Sequence, residues 1–227
     1  MIADGWLAVA WMGALAAGVG LCVGLRRAGV PMTHARDVLH VGAGLWPLGW
    51  SAWQGGAAPC AIAAAGALAL VAVPALANRW SVARAVRDAI SGGDERFDGV
   101  ALYAVSAALF TAVAMAWRAA APAAAGALLA LALGDGIGGA VGRRFGRHRM
   151  KVPFGKPKSW EGAAAVTAFA AAGAWLALRW YGAHPGATAV LGAGVVGGAA
   201  EALSPRATDN LFVPAAVFGW LLLSAGA

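Results

Sequence analysis

Residues 133–146 read LGDGIGGAVGRRFG, with one carboxylate, Asp135, among six glycines and ahead of two adjacent arginines. The string G-D-G-I-G-G matches the G-x-G-x-x-G pattern of dinucleotide-binding loops, but that pattern requires a strand before it inside a soluble βαβ unit. The residues that end at Leu133, AGALLALAL, have the composition of a membrane helix instead. We therefore interpret the segment as the end of a membrane helix that carries a carboxylate.

The glycines at 138, 142 and 146 are four residues apart, which is the small-xxx-small pattern of closely packed helices. Such a face would suit either packing within one subunit or a homodimer contact. The Walker phosphate-loop pattern also fails, because Pro157 follows Gly155 and Lys156 where that pattern needs Ser or Thr. Both soluble nucleotide motifs are thus excluded.

The composition indicates an all-α integral membrane protein. Of the 227 residues, 61% are apolar and 12% are charged, and the mean hydropathy is +0.70. Soluble domains are only about 45–50% apolar. Runs long enough to span a bilayer, which needs about 20 apolar residues, predict about eight transmembrane helices in one polytopic domain, 1–227. They are 5–25, 38–54, 57–77, 99–117, 121–142, 162–178, 186–203 and 210–226.

The second of these segments contains Gly42, Gly44, Pro47 and Gly49, so we expect it to be short, tilted or broken. Residues 78–98 form the longest polar connection. Its first part, RWSVARAVRDAIS, mixes arginines with apolar residues and is typical of either a helix on the membrane surface or a solvated linker.

The distribution of basic residues predicts the orientation. Placing the N-terminus on the non-cytoplasmic side puts fifteen of the seventeen Lys and Arg residues in cytoplasmic loops, as the positive-inside rule requires. With eight spans the C-terminus is also non-cytoplasmic. The net charge of +7 follows from this topology, so we expect no nucleic-acid partner. The cytoplasmic loops are 26–37, 78–98, 143–161 and 204–209.

Ionisable residues inside or at the rim of a membrane span are costly and indicate function. The topology, drawn from Lys and Arg alone, brings the acids of this kind to the cytoplasmic side, beside the basic loop 143–161. These acids are Asp135, Glu161, Glu201 and Asp209. Glu161 and Asp209 could instead be ordinary acids at helix N-termini, where the helix dipole favours them.

Carboxylates hold Mg²⁺ together with substrate phosphates, and Lys and Arg bind phosphate oxygens. The pattern therefore predicts a site for phosphoryl or nucleotidyl transfer at the cytoplasmic surface of a plasma membrane protein. We expect Mg²⁺ on Asp135, Glu201 and Asp209. A transporter that uses these acids for ion coupling would place them near the bilayer midplane, which the pattern does not favour.

Four segments in order resemble the polyprenol kinase family, which includes dolichol kinase, phytol kinase and CTP-dependent diacylglycerol kinase. The segments are RDVLHVGAG at 36–44, LGDGIGGAVGRRFG at 133–146, KSWEG at 158–162 and EALSPRATDNLFVP at 201–214. The resemblance covers about 36–50 and 128–217. It implies CTP-dependent phosphorylation of a lipid alcohol, which could be phytol, a polyprenol or dolichol, or diacylglycerol. The catalytic half would be 121–217.

The resemblance also implies roles for individual residues. Asp135, Arg36, His40 and Glu161 are the expected catalytic residues, and a carboxylate or His40 would accept the hydroxyl proton. The residues expected to bind the nucleotide are Gly142, Arg143, Arg144, Lys156, Lys158, Ser159 and Asn210. The family has Lys after its first Arg, whereas this chain has Asp37. If the family's Lys contacts the nucleotide, the positive charge that this chain lacks at position 37 would be supplied by Arg143, Arg144 or Lys156.

A distantly similar family, the CTP:phosphatidate cytidylyltransferases, is the alternative within the same chemistry. It shares the Gly-Asp and Lys-x-x-Glu-Gly segments, and it ends in Lys-Arg, Lys-Asp and His-Gly-Gly motifs. The stretch SPRATDNLFVPAAV at 204–217 contains none of the three. The sequence therefore favours a lipid-alcohol kinase over a CDP-diacylglycerol synthase.

Overall fold

The computed structural model describes residues 2–90, 97–154, 158–205 and 207–225. The chain is 83% helical, which confirms the all-α class. In these ranges ten α-helices follow one another. They are α1 (Ile2–Arg27), α2 (Met32–Ala43), α3 (Ala57–Ala77), α4 (Ser81–Ile90), α5 (Phe97–Ala116), α6 (Ala121–Leu133), α7 (Gly139–Phe145), α8 (Trp160–Trp180), α9 (Ala187–Leu203) and α10 (Asp209–Ala225).

Five helical segments are long and apolar enough to cross a membrane within the described ranges, and α9 and α10 are shorter apolar helices. These elements coincide with seven of the predicted spans and indicate an integral membrane protein. The count of eight spans and the sides of both termini stay predictions. The five segments are Asp4–Arg27, Ala57–Ala77, Asp98–Ala116, Arg118–Phe145 and Trp160–Trp180.

The remaining predicted span, 38–54, is not one helix. It comprises the end of α2, a break at Gly44 and Leu45, and a 3₁₀ helix, Trp46–Ala52. Pro47 lies in the first turn of this 3₁₀ helix, where its missing N–H leaves no hydrogen bond unmade. A Cβ on Gly44 would collide with Cβ of Ala132, so glycine lets the break approach α6 closely.

Residues 81–90 form α4, an amphipathic helix. Its buried side chains, Ala83, Ala89 and Ile90, face the neighbouring helices, whereas Trp80 just before it is 60% exposed. The stretch is therefore a helix, and its position on the membrane surface stays a prediction.

Helix α6 lies at the centre of the fold. Eleven of its thirteen residues are buried, and it packs against α5, α8 and α10. Most of these residues are alanine or glycine, so neighbouring backbones come close and van der Waals contact is extensive. A Cβ on Gly173 of α8, for example, would collide with the carbonyl oxygen of Leu129.

After α6 the helix widens into a π-helical turn, Gly134–Gly138, and then continues as α7. The glycine face predicted for close packing meets α8 of the same chain. A Cβ on Gly138 would lie 2.6 Å from the backbone of Val166, and a Cβ on Gly142 would lie 2.9 Å from Cα of Gly162. This face therefore serves packing within the subunit.

The connection between α7 and α8 contains a small antiparallel pair of strands, β1 (Arg149–Met150) and β2 (Lys158–Ser159). Arg149 pairs with Ser159, and Met150 pairs with Lys158. No pattern in the sequence indicated these strands, which are only two residues long. The Ser159 hydroxyl then caps α8 by accepting the Gly162 N–H at 3.1 Å.

Candidate functional site

Three helix ends bring three carboxylates together. Asp135 lies in the π-helical turn, Glu201 lies in the last turn of α9, and Asp209 begins α10. One carboxylate oxygen from each lies within 4.8 Å of the others, and all three residues are half-buried. We call Asp135, Glu201 and Asp209 the carboxylate cluster. Oxygen ligands at this spacing suit a hard divalent cation. The three acids predicted to bind Mg²⁺ thus lie together, and metal binding by them stays a prediction.

The π-helical turn places Asp135 and also accommodates α2. Glycine at 136 is required there, because a Cβ would lie 2.6 Å from Cγ2 of Val41 on α2. Single π-helical turns inside α-helices often occur at functional sites. Here the turn brings α2 and the carboxylate cluster side by side.

His40 of α2 faces the cluster. Its Nε2 lies 3.7 Å from Oδ2 of Asp135, which is beyond hydrogen-bond distance, and this nitrogen is buried without a hydrogen-bond partner among the described residues. Tyr103 of α5 supports it from behind. The two rings are 4.2 Å apart between centroids, and the tyrosine hydroxyl donates to the His40 carbonyl at 3.2 Å. The imidazole is thus oriented with one nitrogen toward Asp135.

Two cations are tied to acids at the edge of the cluster. Lys158 forms an ion pair with the Glu201 carboxylate and donates to its backbone carbonyl at 2.6 Å. Arg143 forms an ion pair with Asp37 of α2. Burial raises the pKa of the Asp37 carboxyl above its usual value, and the Arg143 guanidinium opposes that rise. The two pairs connect α7 and β2 to α2 and α9.

A cleft of about 350 Å³ opens beside the cluster, between α7 and α8. Three cations and Glu201 line it, and four glycines leave part of its wall free of side chains, so the cleft combines positive charge with room for a ligand. We call it the cationic cleft. Its polar lining residues are Arg143, Arg149, Lys158, Ser159 and Glu201, and its glycines are Gly138, Gly139, Gly142 and Gly162.

Glu161, predicted to be catalytic, lies outside the carboxylate cluster and contacts the segment before β1. Its carboxylate accepts the backbone N–H groups of Arg147 and His148 at 3.1 and 3.2 Å. It also lies 2.5 Å from Nδ1 of His148. These contacts attach the β1 strand to the start of α8. The catalytic role stays a prediction.

Other predicted site residues lie around the cluster and the cleft. Asn210 is buried beside Asp209, and its side-chain amide donates to Oδ1 of Asp209 at 3.0 Å, which orients that acid. Arg36 is half-buried on α2, and Arg144 is exposed at the end of α7 and does not line the cleft. Lys156 lies outside the described residues.

Four features of the site were missed in the sequence: Tyr103, His148, Arg149 and the pairing of Asp37 with Arg143. Tyr103 lies within an apolar run, and only the contact between α5 and α2 reveals its partner. His148 and Arg149 belong to a loop rich in basic residues, in which no spacing distinguishes one from the next. Asp37 stands out in the sequence as a charge at the inner end of the second predicted span and as a departure from a family pattern, but neither feature identifies Arg143 as its partner.

The fold and the site define an all-α integral membrane protein with a carboxylate cluster beside a cationic cleft. The chain is similar to the phytol kinase of Synechocystis sp., with 35% identity over 138 residues. The match includes 58% of this chain and 53% of that protein, so this chain spans about half the length of the curated relative it matches. No family profile matches the chain, and no solved structure matches it. The similarity supports a phytol kinase-like family; the subfamily and the relation to cytidylyltransferases stay predictions.

Proposed function

We propose that the protein is a lipid-alcohol kinase, which transfers a phosphoryl group from a nucleoside triphosphate to the hydroxyl group of a membrane lipid. The observation that carries this proposal is the carboxylate cluster directly beside the cationic cleft, at the ends of apolar helices. The similarity to a phytol kinase supports it independently. Phytol is therefore the first acceptor to test, followed by polyprenols, dolichol and diacylglycerol.

Asp135, Glu201 and Asp209 would hold Mg²⁺. The fit is supported by the oxygen-only donor set and by the convergence of the three carboxylates within 4.8 Å. When bound, the metal would neutralise charge on the phosphate oxygens of the donor. The Lys158 ammonium group pairs with Glu201 and so already neutralises part of the negative charge of the cluster. The same group would contact a phosphate oxygen of the donor that approaches the metal.

The donor would lie in the cationic cleft, where Arg143 and Lys158 would bind its phosphate oxygens. Gly142 has no side chain and would leave room for the phosphate chain of the donor. CTP is the proposed donor on the strength of the family resemblance. Phosphoryl transfer depends mainly on positioning and on charge neutralisation, which this combination of cations and carboxylates supplies.

The lipid hydroxyl would approach from the side of His40. The oxygen of the lipid hydroxyl forms a bond to the γ-phosphorus of CTP. The bond between the γ-phosphorus and the oxygen that bridges it to the β-phosphorus breaks, and that oxygen leaves with CDP. The hydroxyl proton passes to a base, and the products are a lipid monophosphate and CDP. His40 Nε2 and a carboxylate of the cluster are both candidates for this base, because each presents an acceptor atom at the site.

The direct test uses purified protein in lipid nanodiscs with γ-labelled CTP, Mg²⁺ and each lipid alcohol in turn. We expect label in a lipid monophosphate, first with phytol. A folded protein that labels no lipid of the panel overturns the proposal. Parallel reactions with ATP and UTP establish the donor, and accessibility of the site in oriented vesicles tests the proposed cytoplasmic side of the plasma membrane.

A second candidate, the CTP:phosphatidate cytidylyltransferase, shares the Gly-Asp and Lys-x-x-Glu-Gly segments. It would move label from α-labelled CTP into a CDP-lipid and release pyrophosphate. The same preparation with phosphatidate as acceptor distinguishes the two reactions. Uptake of labelled solute by sealed vesicles tests the transporter alternative.

A further inference from the structure

A latch between α8 and the β1 strand fixes the position of Arg149. The Glu161 carboxylate accepts the N–H groups of Arg147 and His148 and contacts the His148 ring at 2.5 Å. The neighbouring backbone N–H of Trp160 donates to the His148 carbonyl at 3.0 Å. The backbone N–H and the backbone carbonyl of His148, the residue before Arg149, are therefore both held against the first turn of α8.

The other side of Arg149 is fixed by strand pairing. Arg149 pairs with Ser159 across the two strands, and Ser159 is 5% exposed and caps α8. Since residues 148 and 159 are both anchored on α8, the Arg149 side chain leaves the backbone at a fixed point on the rim of the cationic cleft.

Arg149 differs from the other cations of the cleft in its partners. Arg143 is paired with Asp37, and Lys158 is paired with Glu201. The Arg149 side chain, by contrast, has no hydrogen bond or ion pair with any of the residues that the structure describes. A positive side chain that lines a cleft and lacks an internal partner is available to an anionic ligand.

The chemistry of that ligand follows from the cleft. A guanidinium group binds two phosphate oxygens at once, and about 300–1,000 Å³ is the usual range for a ligand pocket, which includes this cleft of about 350 Å³. We infer that Arg149 binds the phosphate chain of the donor, and that Glu161 and His148 are positioning residues that hold Arg149 in the cleft. This inference rests on the proposed function in taking the ligand to be a nucleoside triphosphate.

The first test compares Arg149→Gln with Arg147→Gln, in the full chain. Arg147 is an exposed neighbour whose side chain does not line the cleft, so it controls for the loss of one charge from the same loop. Loss of a charged hydrogen bond raises KM by about 10- to 100-fold. We expect that rise in the KM for CTP with Arg149→Gln, with an unchanged lipid KM, and little change with Arg147→Gln. Equal effects of the two variants would overturn the inference.

The second test separates positioning from catalysis. Glu161→Ala should raise the KM for CTP as Arg149→Gln does, and the double variant should be no worse than the more impaired single variant, because both changes remove the same contact. Glu161→Gln keeps an acceptor oxygen and should recover part of the loss. If Glu161→Ala lowers kcat and adds fully to Arg149→Gln, Glu161 acts directly on the reacting atoms and the latch is wrong.

A binding measurement separates this inference from the proposed activity. Inorganic tripolyphosphate is titrated into the detergent-solubilised protein by calorimetry, after size-exclusion chromatography shows that each variant is folded. Weaker binding by Arg149→Gln than by Arg147→Gln supports the inference even if no lipid is phosphorylated. Failure of the unaltered chain to bind tripolyphosphate, or equal binding by both variants, overturns it whatever the lipid assay gives.

Discussion

The first turns of α6 pack against tryptophans, whereas its last turn leads into a glycine-rich π-helical turn with a carboxylate. At the start, Trp46, Trp50 and Trp53 pack against alanines of 121–125. We call this region the tryptophan end. At the other end, Asp135 meets Glu201 and Asp209 in the carboxylate cluster. One buried helix thus connects a region of large apolar side chains with a region of ionisable groups.

The polar contacts at the two ends differ in the same way. At the tryptophan end they include donations to backbone carbonyls, from the Tyr181 hydroxyl to Pro47 at 2.6 Å and from the Arg118 guanidinium to Trp50 at 3.5 Å. At the carboxylate cluster, charged groups lie close together, and His40 Nε2 is buried without a described partner. The indole N–H groups of Trp50 and Trp53 are likewise buried without a partner among the described residues, so the cost of unpaired polar groups falls on both ends. Because large apolar side chains pack at one end and ionisable groups gather at the other, we expect the tryptophan end to supply packing energy and the carboxylate end to supply function. Variants at the two ends test this division.

The largest effect is expected for Asp135→Asn. Loss of a metal-ligating carboxylate removes several kcal/mol of transition-state stabilisation, or about 10³-fold in kcat. Lipid phosphorylation measures the rate, and thermal unfolding should show a folded protein. Asp88→Asn is the matched control, because Asp88 is exposed on α4 and should leave the rate unchanged. A rate above a tenth of normal for Asp135→Asn would refute the metal assignment.

Trp50→Ala should give the opposite result, with a large loss of stability and little loss of intrinsic rate. Trp50 is fully buried, and truncation of such a side chain costs about 3–5 kcal/mol. Denaturant unfolding in detergent measures the loss, with kcat normalised to the folded fraction. Trp80→Ala, at a 60% exposed position, is the control. A stability as high as that of the unaltered chain would contradict the packing role of the tryptophan end.

Gly142→Ala should affect both properties, because α7 links the packed core to the cleft. The added Cβ would lie 2.9 Å from Cα of Gly162, and such overpacking costs about 1–3 kcal/mol. We expect a lower unfolding temperature and a higher KM for the donor. Gly20→Ala in α1 has nothing within 4 Å of the new atom and should be nearly neutral. Equal behaviour of the two variants would show that α7 tolerates separation from α8.

The smallest change compares one hydroxyl at each end. Tyr103→Phe and Tyr181→Phe each remove one hydrogen bond to a backbone carbonyl, worth about 0.5–1.5 kcal/mol. We expect similar losses of stability by thermal unfolding. Only Tyr103→Phe should also lower kcat, by a few-fold, because its hydroxyl holds the backbone of His40. An equal decrease in kcat for both variants would contradict the proposed division.

Most of the helical architecture could be predicted from hydropathy. The predicted segment 57–77 coincides with α3, Ala57–Ala77, and the predicted 186–203 differs from α9 by one residue. Long apolar runs bounded by polar residues or glycine define such helices, because a helix satisfies its own backbone in a membrane. Segment 38–54 was harder to predict, since the packing of Gly44 on Ala132 determines where the chain breaks.

The candidate site also has a part that could be predicted from the sequence and a part that could not. Single ionisable residues in apolar surroundings stand out in the sequence, so hydropathy selects Asp135, Glu201 and Asp209, but it selects Glu161 as well, and only the structure separates that acid from the cluster. Their mutual approach depends on the ends of three helices. The partners of Arg143, Lys158 and Glu161 come from segments up to 106 residues away, and no local pattern encodes them.

Hydropathy and charge pattern are enough to predict that the chain is helical, that it is apolar enough for a membrane and that its unusual acids gather near one set of helix ends. These features can be read from the sequence because each segment pays its own cost for exposing backbone polar groups or charges to lipid. That cost depends on the residues of the segment itself and not on its partners in the fold. The folded chain alone reveals that Asp37 faces Arg143, that Tyr103 supports His40 and that Glu161 holds the segment before β1. Those contacts join residues distant in sequence, so they depend on how the glycine faces let the helices approach.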